Sequence, residues 1–141
     1  DMDSLIRALA CMAAAICFGK LLRQPRSTLV FTALIGLLGY AVYQLVGGLL
    51  GFFLSGLLVG ILCELTARVA ERTTTLFLIS SIIPTVPGLG LYRTMMALSE
   101  NDLERAGALG LETLAGIGAI ALALTFAAIL FGSIRPFRRI P

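Results

Sequence analysis

Residues 27–63 read STLVFTALIGLLGYAVYQLVGGLLGFFLSGLLVGILC, and no charged side chain interrupts them. A helix needs about 20 apolar residues to cross the hydrocarbon core of a bilayer, so this stretch and the residues after it are long enough for two crossings. Gly47 and Gly48 lie near its middle and indicate a short turn. The stretch therefore predicts two transmembrane helices, at about 27–46 and 49–69.

The composition of the whole chain is that of a membrane protein. Hydrophobic residues make up 58% of the 141 positions and charged residues 13%, and the mean hydropathy is +0.98. Soluble domains are roughly half apolar and a quarter charged. The apolar residues also run in blocks instead of along one helical face, which is typical of helices that meet lipid on all sides. We therefore predict an all-α, polytopic membrane helical bundle.

The same length criterion gives three more spans, so the bundle is expected to have about five transmembrane helices in a single domain over residues 1–141. The additional spans are at about 4–22, 75–96 and 111–134. Asn101 and Glu104 have the spacing of a capping box, which predicts that the last helix begins near Asp102, before the bilayer.

The first apolar run is predicted to be a span of the mature protein. The residues that follow it, Arg23-Gln24-Pro25-Arg26, lack the small side chains of a signal-peptide cleavage site. Because the sequence begins at Asp1, we expect an initiator Met or a longer leader to precede it.

Lys and Arg predict the orientation, because they accumulate on the cytoplasmic side of short loops. If the N-terminus is outside, eight basic residues are cytoplasmic and three are external. The first group is Lys20, Arg23, Arg26, Arg68, Arg72, Arg135, Arg138 and Arg139, and the second is Arg7, Arg93 and Arg105. We predict a multi-pass protein of the cytoplasmic (inner) membrane with its N-terminus outside and its C-terminus in the cytoplasm.

Several classes of function find no support in the sequence. The chain has no His, and Cys11, Cys17 and Cys63 lie singly in apolar runs, so we expect no metal and no cofactor. The net charge of +3 is explained by basic residues beside the spans, so nucleic acid is not an expected partner. No GxSxG, HExxH or P-loop is present, which argues against an enzyme and against direct use of ATP.

Small residues on the third and fifth spans indicate where helices approach each other closely. On the third span they recur at every fourth position, with Gly47, Gly51 and Ser55 in one row and Gly56 and Gly60 in another. Gly116 has small neighbours on the fifth span. Either these faces pack the bundle itself, or one of them docks a second membrane subunit.

The fourth span contains an unusual stretch, residues 80–93, which reads SSIIPTVPGLGLYR. Its two prolines remove backbone donors and its glycines can take a positive φ, so a regular helix is not expected here. Backbone freed at bilayer depth must be buried in protein or line a wet cavity, and many transporters build their solute sites from such broken helices. The candidate substrate-binding residues are Ser80, Ser81, Pro84, Thr85, Pro87, Gly88, Gly90, Tyr92 and Arg93. The alternative is a simple proline kink, with Tyr92 and Arg93 as anchors at the membrane interface.

Two carboxylates within the spans are candidates for ion coupling. Glu64 lies four residues before Arg68, a spacing that suits an ion pair at the membrane interface. Alternatively it faces the cavity and carries a coupling proton, because carboxylates inside membranes are often functional. Glu112, early in the fifth span, has the same two interpretations.

A family resemblance rests on the pattern Ile83-Pro84-x-Val86-Pro87-Gly88-x-x-x-Tyr92 in the fourth of five spans, followed by the helix start at Asn101-Asp102-Leu103. In this pattern and in its span layout, the chain resembles the threonine/serine exporter family, and in particular its small stand-alone members that correspond to the C-terminal membrane half. The resemblance implies a transporter with two membrane halves of about five spans each, either fused or split between two proteins. A related split pair is associated with export of the dicarboxylate succinate.

An odd number of spans gives this resemblance a physical consequence. Two five-span units in sequence insert in opposite orientations and form the inverted repeat that many secondary transporters use. The expected partners are membrane lipid, a small amino or organic acid, and either a larger membrane subunit that supplies the other half or a second copy of the chain.

The predicted function is therefore membrane transport driven by an ion or solute gradient. We interpret the chain as a subunit or half-transporter of a secondary exporter of threonine and serine. One alternative is a subunit of a dicarboxylate exporter, and another is an accessory membrane subunit without its own solute site.

Overall fold

A computed structural model describes residues 2–83 and 86–134, with the backbone alone at Ile134. In these residues the chain forms six α-helices and no β-strand. The helices are α1 (Met2–Leu21), α2 (Arg26–Val46), α3 (Gly48–Ala70), α4 (Thr74–Ile82), α5 (Gly88–Ser99) and α6 (Leu103–Ile134). Four of them, α1, α2, α3 and α6, are long and apolar enough to cross a membrane. The predicted all-α membrane bundle is confirmed.

The fourth predicted span is divided into two short helices. Helix α4 has 9 residues and ends at Ile82, and α5 has 12 residues and begins at Gly88. At 1.5 Å per residue they are about 14 and 18 Å long, and each is too short for a hydrocarbon core of about 30 Å. The predicted break in this span is therefore confirmed, although Pro84 and Thr85 lie outside the described residues.

Helix α3 lies at the centre of the bundle. It packs against α2, α4 and α6, whereas α1 packs on α2 and α4, and α5 packs on α6. The buried core joins the middle helices and consists of Ile35, Val59, Cys63, Ala67 and Phe77. Because α4 is enclosed by three helices and α5 by one, the two parts of the broken span have different surroundings.

Two of the small residues of α3, Gly56 and Gly60, pack against α6 of the same chain. A Cβ atom added at Gly56 would lie 3.2 Å from Ala123 Cβ, and one added at Gly60 would lie 2.8 Å from Ala127 Cβ. Ser55, on the same helix, donates a hydrogen bond of 2.7 Å to a backbone carbonyl of α2. Of the two interpretations of these faces, the structure therefore supports packing within the bundle, because α6 already covers the Gly56 and Gly60 face.

Replacement of Gly60 by Leu is accordingly expected to destabilise the chain itself. Inserting a large side chain into a close-packed contact costs about 1–3 kcal/mol. The melting temperature of the variant in detergent should fall. Size-exclusion chromatography after heating is the measurement. Gly118→Leu is the matched control, because Gly118 lies on α6 with nothing within 4 Å of an added Cβ. Equal melting temperatures for the two variants would contradict the packing role of Gly60.

The beginning of α6 extends past the turn between α2 and α3. Helices α3 and α6 run in the same direction, and Phe52 on α3 lies against Gly116 on α6. Since α3 begins four residues before Phe52, residues 103–111 of α6 extend beyond it by about 14 Å. Helix α5 packs on α6, and Thr94 of α5 lies against Gly110 in this part of α6. The two form a helical hairpin past the end of the α2–α3 pair.

The connection between α5 and α6 differs by one residue from the predicted capping box. Asn101 has φ 59°, and the Asp102 N–H donates to the Ala97 carbonyl at 3.0 Å, which ends α5. Asp102 Oδ1 then accepts a 3.1 Å hydrogen bond from the backbone N–H of Arg105 and caps α6. The predicted box of Asn101 and Glu104 is therefore wrong, because Asn101 is used in the left-handed conformation that closes the preceding helix. The predicted helix start near Asp102 is confirmed.

Candidate functional site

A cavity of about 280 Å³ lies where α5 begins, next to the turn between α2 and α3. Its walls come from α2, α3, α6 and the broken fourth span. The lining residues are Tyr40, Tyr43, Phe52, Val86, Pro87, Leu89, Gly90, Arg93, Leu109, Glu112 and Thr113. Ligand cavities for drug-sized molecules have about 300–1,000 Å³, so this volume fits a small metabolite.

The first turn of α5 faces this cavity. Pro87 precedes the helix without a side-chain capping bond, and Pro87, Leu89 and Gly90 all line the cavity wall. The N-terminal end of a helix carries a partial positive charge. In α5 the N–H groups of Gly88 and Gly90 already donate to the carbonyls of Val86 and Pro87, at 2.7 and 3.1 Å, so the helix dipole is what this end offers to a ligand. This end of α5 is therefore suited to an anionic group such as a carboxylate.

The two glycines at the start of α5 have different roles from those that the sequence suggests. Neither Gly88 nor Gly90 has a positive φ, because both belong to a regular helix; among the described glycines, Gly47 and Gly48 do. An added Cβ at Gly90 would collide with the hydroxyl of Thr113, whereas at Gly88 nothing lies within 4 Å. Gly90 thus permits the close approach of α5 to α6.

Two opposite charges line the cavity from adjacent helices. Arg93 lies on α5 and Glu112 on α6. They do not pair with each other, since the one ion pair among the described residues joins Arg105 and Glu100 at 3.9 Å. The facing wall is aromatic, and the ring centroids of Tyr43 and Phe52 lie 4.6 Å apart. The cavity therefore offers one cationic and one anionic group to the same ligand.

The sequence family of this chain follows from a comparison with known families. The model of the family described as "Threonine/Serine exporter, ThrE" matches residues 7–130. The chain belongs to the threonine/serine exporter family. No curated protein and no solved structure matches it. The resemblance to the threonine/serine exporter family is confirmed, and the chain is a multi-pass membrane protein of a family of transporters.

Two of the predicted site residues of this exporter lie away from the cavity. Ser80 and Ser81 are fully buried on α4, on the other side of the break. Ser80 Oγ donates to the Leu76 carbonyl at 3.3 Å, and Ser81 Oγ donates to the Thr32 carbonyl at 3.4 Å. The structure thus brings Pro87, Gly90 and Arg93 together and places the two serines in the packed half of the bundle.

The remaining residues of the predicted site are exposed or outside the described part of the exporter. Tyr92 is 61% exposed and does not line the cavity, although its neighbour Arg93 does. Gly88 is exposed as well. Pro84 and Thr85 are candidates on which the described residues give no geometry.

The carboxylates Glu64 and Glu112 have different surroundings. Glu112 lines the cavity, and Glu64 is half-buried on α3 and does not. The ion pair between Glu64 and Arg68 that the sequence suggests is not formed among the described residues. Arg68 instead donates a 2.7 Å hydrogen bond to the Phe131 carbonyl and lies 5.1 Å from the centre of that ring. Arg68 thereby connects α3 to α6, and Glu112 is the better placed of the two for contact with a solute.

Sequence reasoning missed the far wall of the cavity. Tyr40, Tyr43 and Phe52 lie beside the Gly47-Gly48 turn, and Thr113 lies one residue after Glu112. Aromatic residues near the end of a span usually indicate the membrane interface, so this signal alone did not point to a site. Among the described residues, no group of three or more His, Cys, Asp or Glu side chains could hold a metal ion.

Proposed function

We propose that this exporter carries threonine, serine or a similar small amino acid, and binds it in the cavity at the beginning of α5. The observation that supports this most directly is the pair of opposite charges, Arg93 and Glu112, which line one small cavity and form no ion pair within the described residues. An amino acid is a zwitterion of net charge zero. It presents a carboxylate and an ammonium group to the protein at the same time.

Each end of the zwitterion has a partner in this arrangement. The carboxylate is expected to contact the Arg93 guanidinium and the N-terminal end of α5, since a bidentate charge-assisted hydrogen bond is the strongest available. The ammonium group is expected to contact the carboxylate of Glu112. Tyr40, Tyr43 and Thr113 line the same cavity, and each carries a hydroxyl that suits the side-chain hydroxyl of threonine or serine.

The charge of Glu112 also distinguishes between solutes. Succinate carries two carboxylates, and one of them would have to lie beside Glu112, where like charges repel. We therefore favour an amino acid over a dicarboxylate. The test is the affinity of the purified protein for threonine, serine and succinate, before and after substitution of each charged wall residue.

We also propose that the chain is one half of the working transporter. Large apolar side chains are exposed on the hairpin of α5 and α6, including Met95, Leu103 and Leu111 at 68–72%. A second membrane half, from a larger subunit or from another copy, would cover them and supply the inverted repeat. Two measurements test this proposal. One is co-purification of this chain with the larger subunit, and the other is the native mass of the chain purified alone, which shows whether it assembles with itself.

The orientation is proposed from the distribution of basic residues, with the N-terminus and the α5–α6 turn outside the cytoplasmic membrane. Single cysteines at Ser99 and Ser133, on a background without native cysteines, are expected to react with an impermeant thiol reagent from opposite sides. Both residues are exposed. Ser99 lies at the α5–α6 turn, and Ser133 lies near the other end of α6. Reaction of both from the same side would contradict the orientation.

A further inference from the structure

A row of polar and small residues follows one ridge of α2. It begins at Gln24, just before the helix, and continues at every fourth position with Thr28, Thr32, Gly36 and Tyr40. Residues four apart form a continuous, gently winding ridge on a helix. From Thr28 to Tyr40 this ridge is about 18 Å long, at 1.5 Å per residue.

The row joins two cavities at opposite ends of the bundle. Tyr40 lines the cavity that contains Arg93 and Glu112. Thr28 lines a second cavity of about 300 Å³ beside the turn between α1 and α2. The other lining residues of this second cavity are Pro25, Ser27, Phe31, Val69, Ala70 and Arg72. Between the two cavities, α2 presents Thr32 and Gly36.

The part of the row between the cavities is closed by direct contacts. Gln24 Nε2 donates a 2.6 Å hydrogen bond to Thr32 Oγ1, which itself donates to the Thr28 carbonyl at 3.3 Å. Ser81 of α4 donates to the Thr32 carbonyl. Thr32 and Ser81 are fully buried, and Gln24 and Thr28 are 5% and 6% exposed. The row is therefore polar but sealed, with α1 and α4 packed over it.

One polar atom in this sealed region has no partner. Gln24 Oε1 is buried and accepts no hydrogen bond within the described part of the chain. A buried acceptor without a partner is unfavourable, and it would regain its hydrogen bonds if water or a solute entered the row. The closed arrangement thus combines a short hydrogen bond with an unsatisfied acceptor on the same side chain. Because the closed state leaves this acceptor unsatisfied, the Gln24–Thr32 contact is suited to break when water or a solute enters.

We propose that the ridge from Thr28 to Tyr40 is the route of the solute between the two cavities, and that the Gln24–Thr32 hydrogen bond is the latch that closes it. This inference rests on the proposed function. The lining side chains on the ridge are uncharged, so the route suits a zwitterion or a neutral polar molecule. A dianion would meet no compensating charge there, and burying such a charge is costly.

The experiment measures access to Ser81, which lies on the far side of the latch from the α1–α2 turn. Ser81→Cys is introduced into the full chain after the three native cysteines are replaced by alanine. An impermeant thiol reagent is applied in inside-out vesicles, which expose the side of the α1–α2 turn if the predicted orientation holds. With Gln24→Glu, labelling is expected to accelerate about fivefold or more, because a charged carboxylate is costly to bury even where the Thr32 hydroxyl can donate to it. Gln24→Met, an apolar side chain of similar size, removes the hydrogen bond to Thr32 without adding a charge, so labelling should also accelerate, by about fivefold for the loss of one hydrogen bond.

Matched controls separate the latch from general loosening. Gln44→Glu makes the same change at an exposed position near the other end of α2 and should not alter labelling. Ile79→Cys, on the exposed side of α4, should respond to neither substitution. Excess threonine should slow the labelling of Ser81→Cys in the Gln24→Glu protein, because the solute occupies the same route.

Two results would overturn the proposal. One is an equal labelling rate with Gln24 and with Gln24→Glu. The other is faster labelling of Ser81→Cys in the Gln24→Glu protein that excess threonine fails to slow, although the protein still binds threonine. Because threonine affinity is measured separately, a protein that does not bind threonine at all contradicts the proposed function and leaves the labelling rates as the test of the latch.

Discussion

Replacement of Arg93 by Gln is expected to raise the apparent dissociation constant for threonine about tenfold or more. A hydrogen bond between a guanidinium and a carboxylate contributes about 1.5–3 kcal/mol, and each 1.4 kcal/mol corresponds to a factor of ten. Arg93 is exposed in the cavity wall, so the lower end of this range applies. Binding of radiolabelled threonine to the purified protein in lipid nanodiscs is the measurement.

The companion substitution, Glu112→Gln, separates the two ends of the solute. It should weaken threonine and serine, because their ammonium group loses its partner, and it should leave the affinity for succinate unchanged or improved. Arg93→Gln should weaken all three solutes. This pattern of affinities is expected of a site that binds both charged groups of a zwitterion.

Arg105→Gln is the control for these variants. Arg105 is an exposed arginine on the same helical hairpin, pairs with Glu100 at 3.9 Å, and does not line the cavity. Its loss removes the same charge from the protein without touching the site. An effect on threonine as large as that of Arg93→Gln would show that net charge, and not the cavity, controls binding.

The broken span shows how far local sequence predicts this fold. Two prolines and two glycines within a few residues are enough to predict that the fourth span is interrupted, because each acts on its own backbone. The same local reasoning grouped Ser81 with Arg93. In the folded chain Ser81 hydrogen-bonds to α2 on one side of the break, and Arg93 faces α6 on the other. Tertiary packing decides which helix covers each half of the broken span. The spacing of residues in the sequence does not predict that packing.

The partner of Arg68 illustrates the same limit. The i, i+4 spacing of Glu64 and Arg68 satisfies the rule for a helical ion pair. The guanidinium instead contacts Phe131, which is 63 residues away in the sequence. A surface ion pair contributes little, about 0–1 kcal/mol, so a carbonyl and an aromatic ring on a neighbouring helix can replace it. Tyr40 and Tyr43 were missed for a related reason, since their proximity to α5 arises only when the two helical hairpins pack.

Replacement of Gly90 by Val is expected to abolish threonine binding, or to weaken it well beyond tenfold. A Cβ at this position collides with the Thr113 side chain, whose hydroxyl is held by a 2.7 Å hydrogen bond to the Leu109 carbonyl. Overpacking of this kind costs about 1–3 kcal/mol and pushes α5 away from α6. Since both helices line the cavity, Arg93 and Glu112 would move apart. Gly88→Val is the matched control, because nothing lies within 4 Å of a Cβ there.

A rescue experiment distinguishes damage to this contact from general loss of the fold. Gly90→Ala should lower the melting temperature, although alanine favours a helix over glycine by about 1 kcal/mol. Adding Thr113→Ala removes the two atoms closest to the new Cβ, which are Oγ1 and Cγ2. In a double-mutant cycle the pair should therefore be more stable than the sum of the single effects, by the 0.5–3 kcal/mol usual for residues in contact. Additive effects of Gly90→Ala and Thr113→Ala would mean that the approach of α5 to α6 does not depend on this contact, and that the cavity is held by other parts of the hairpin.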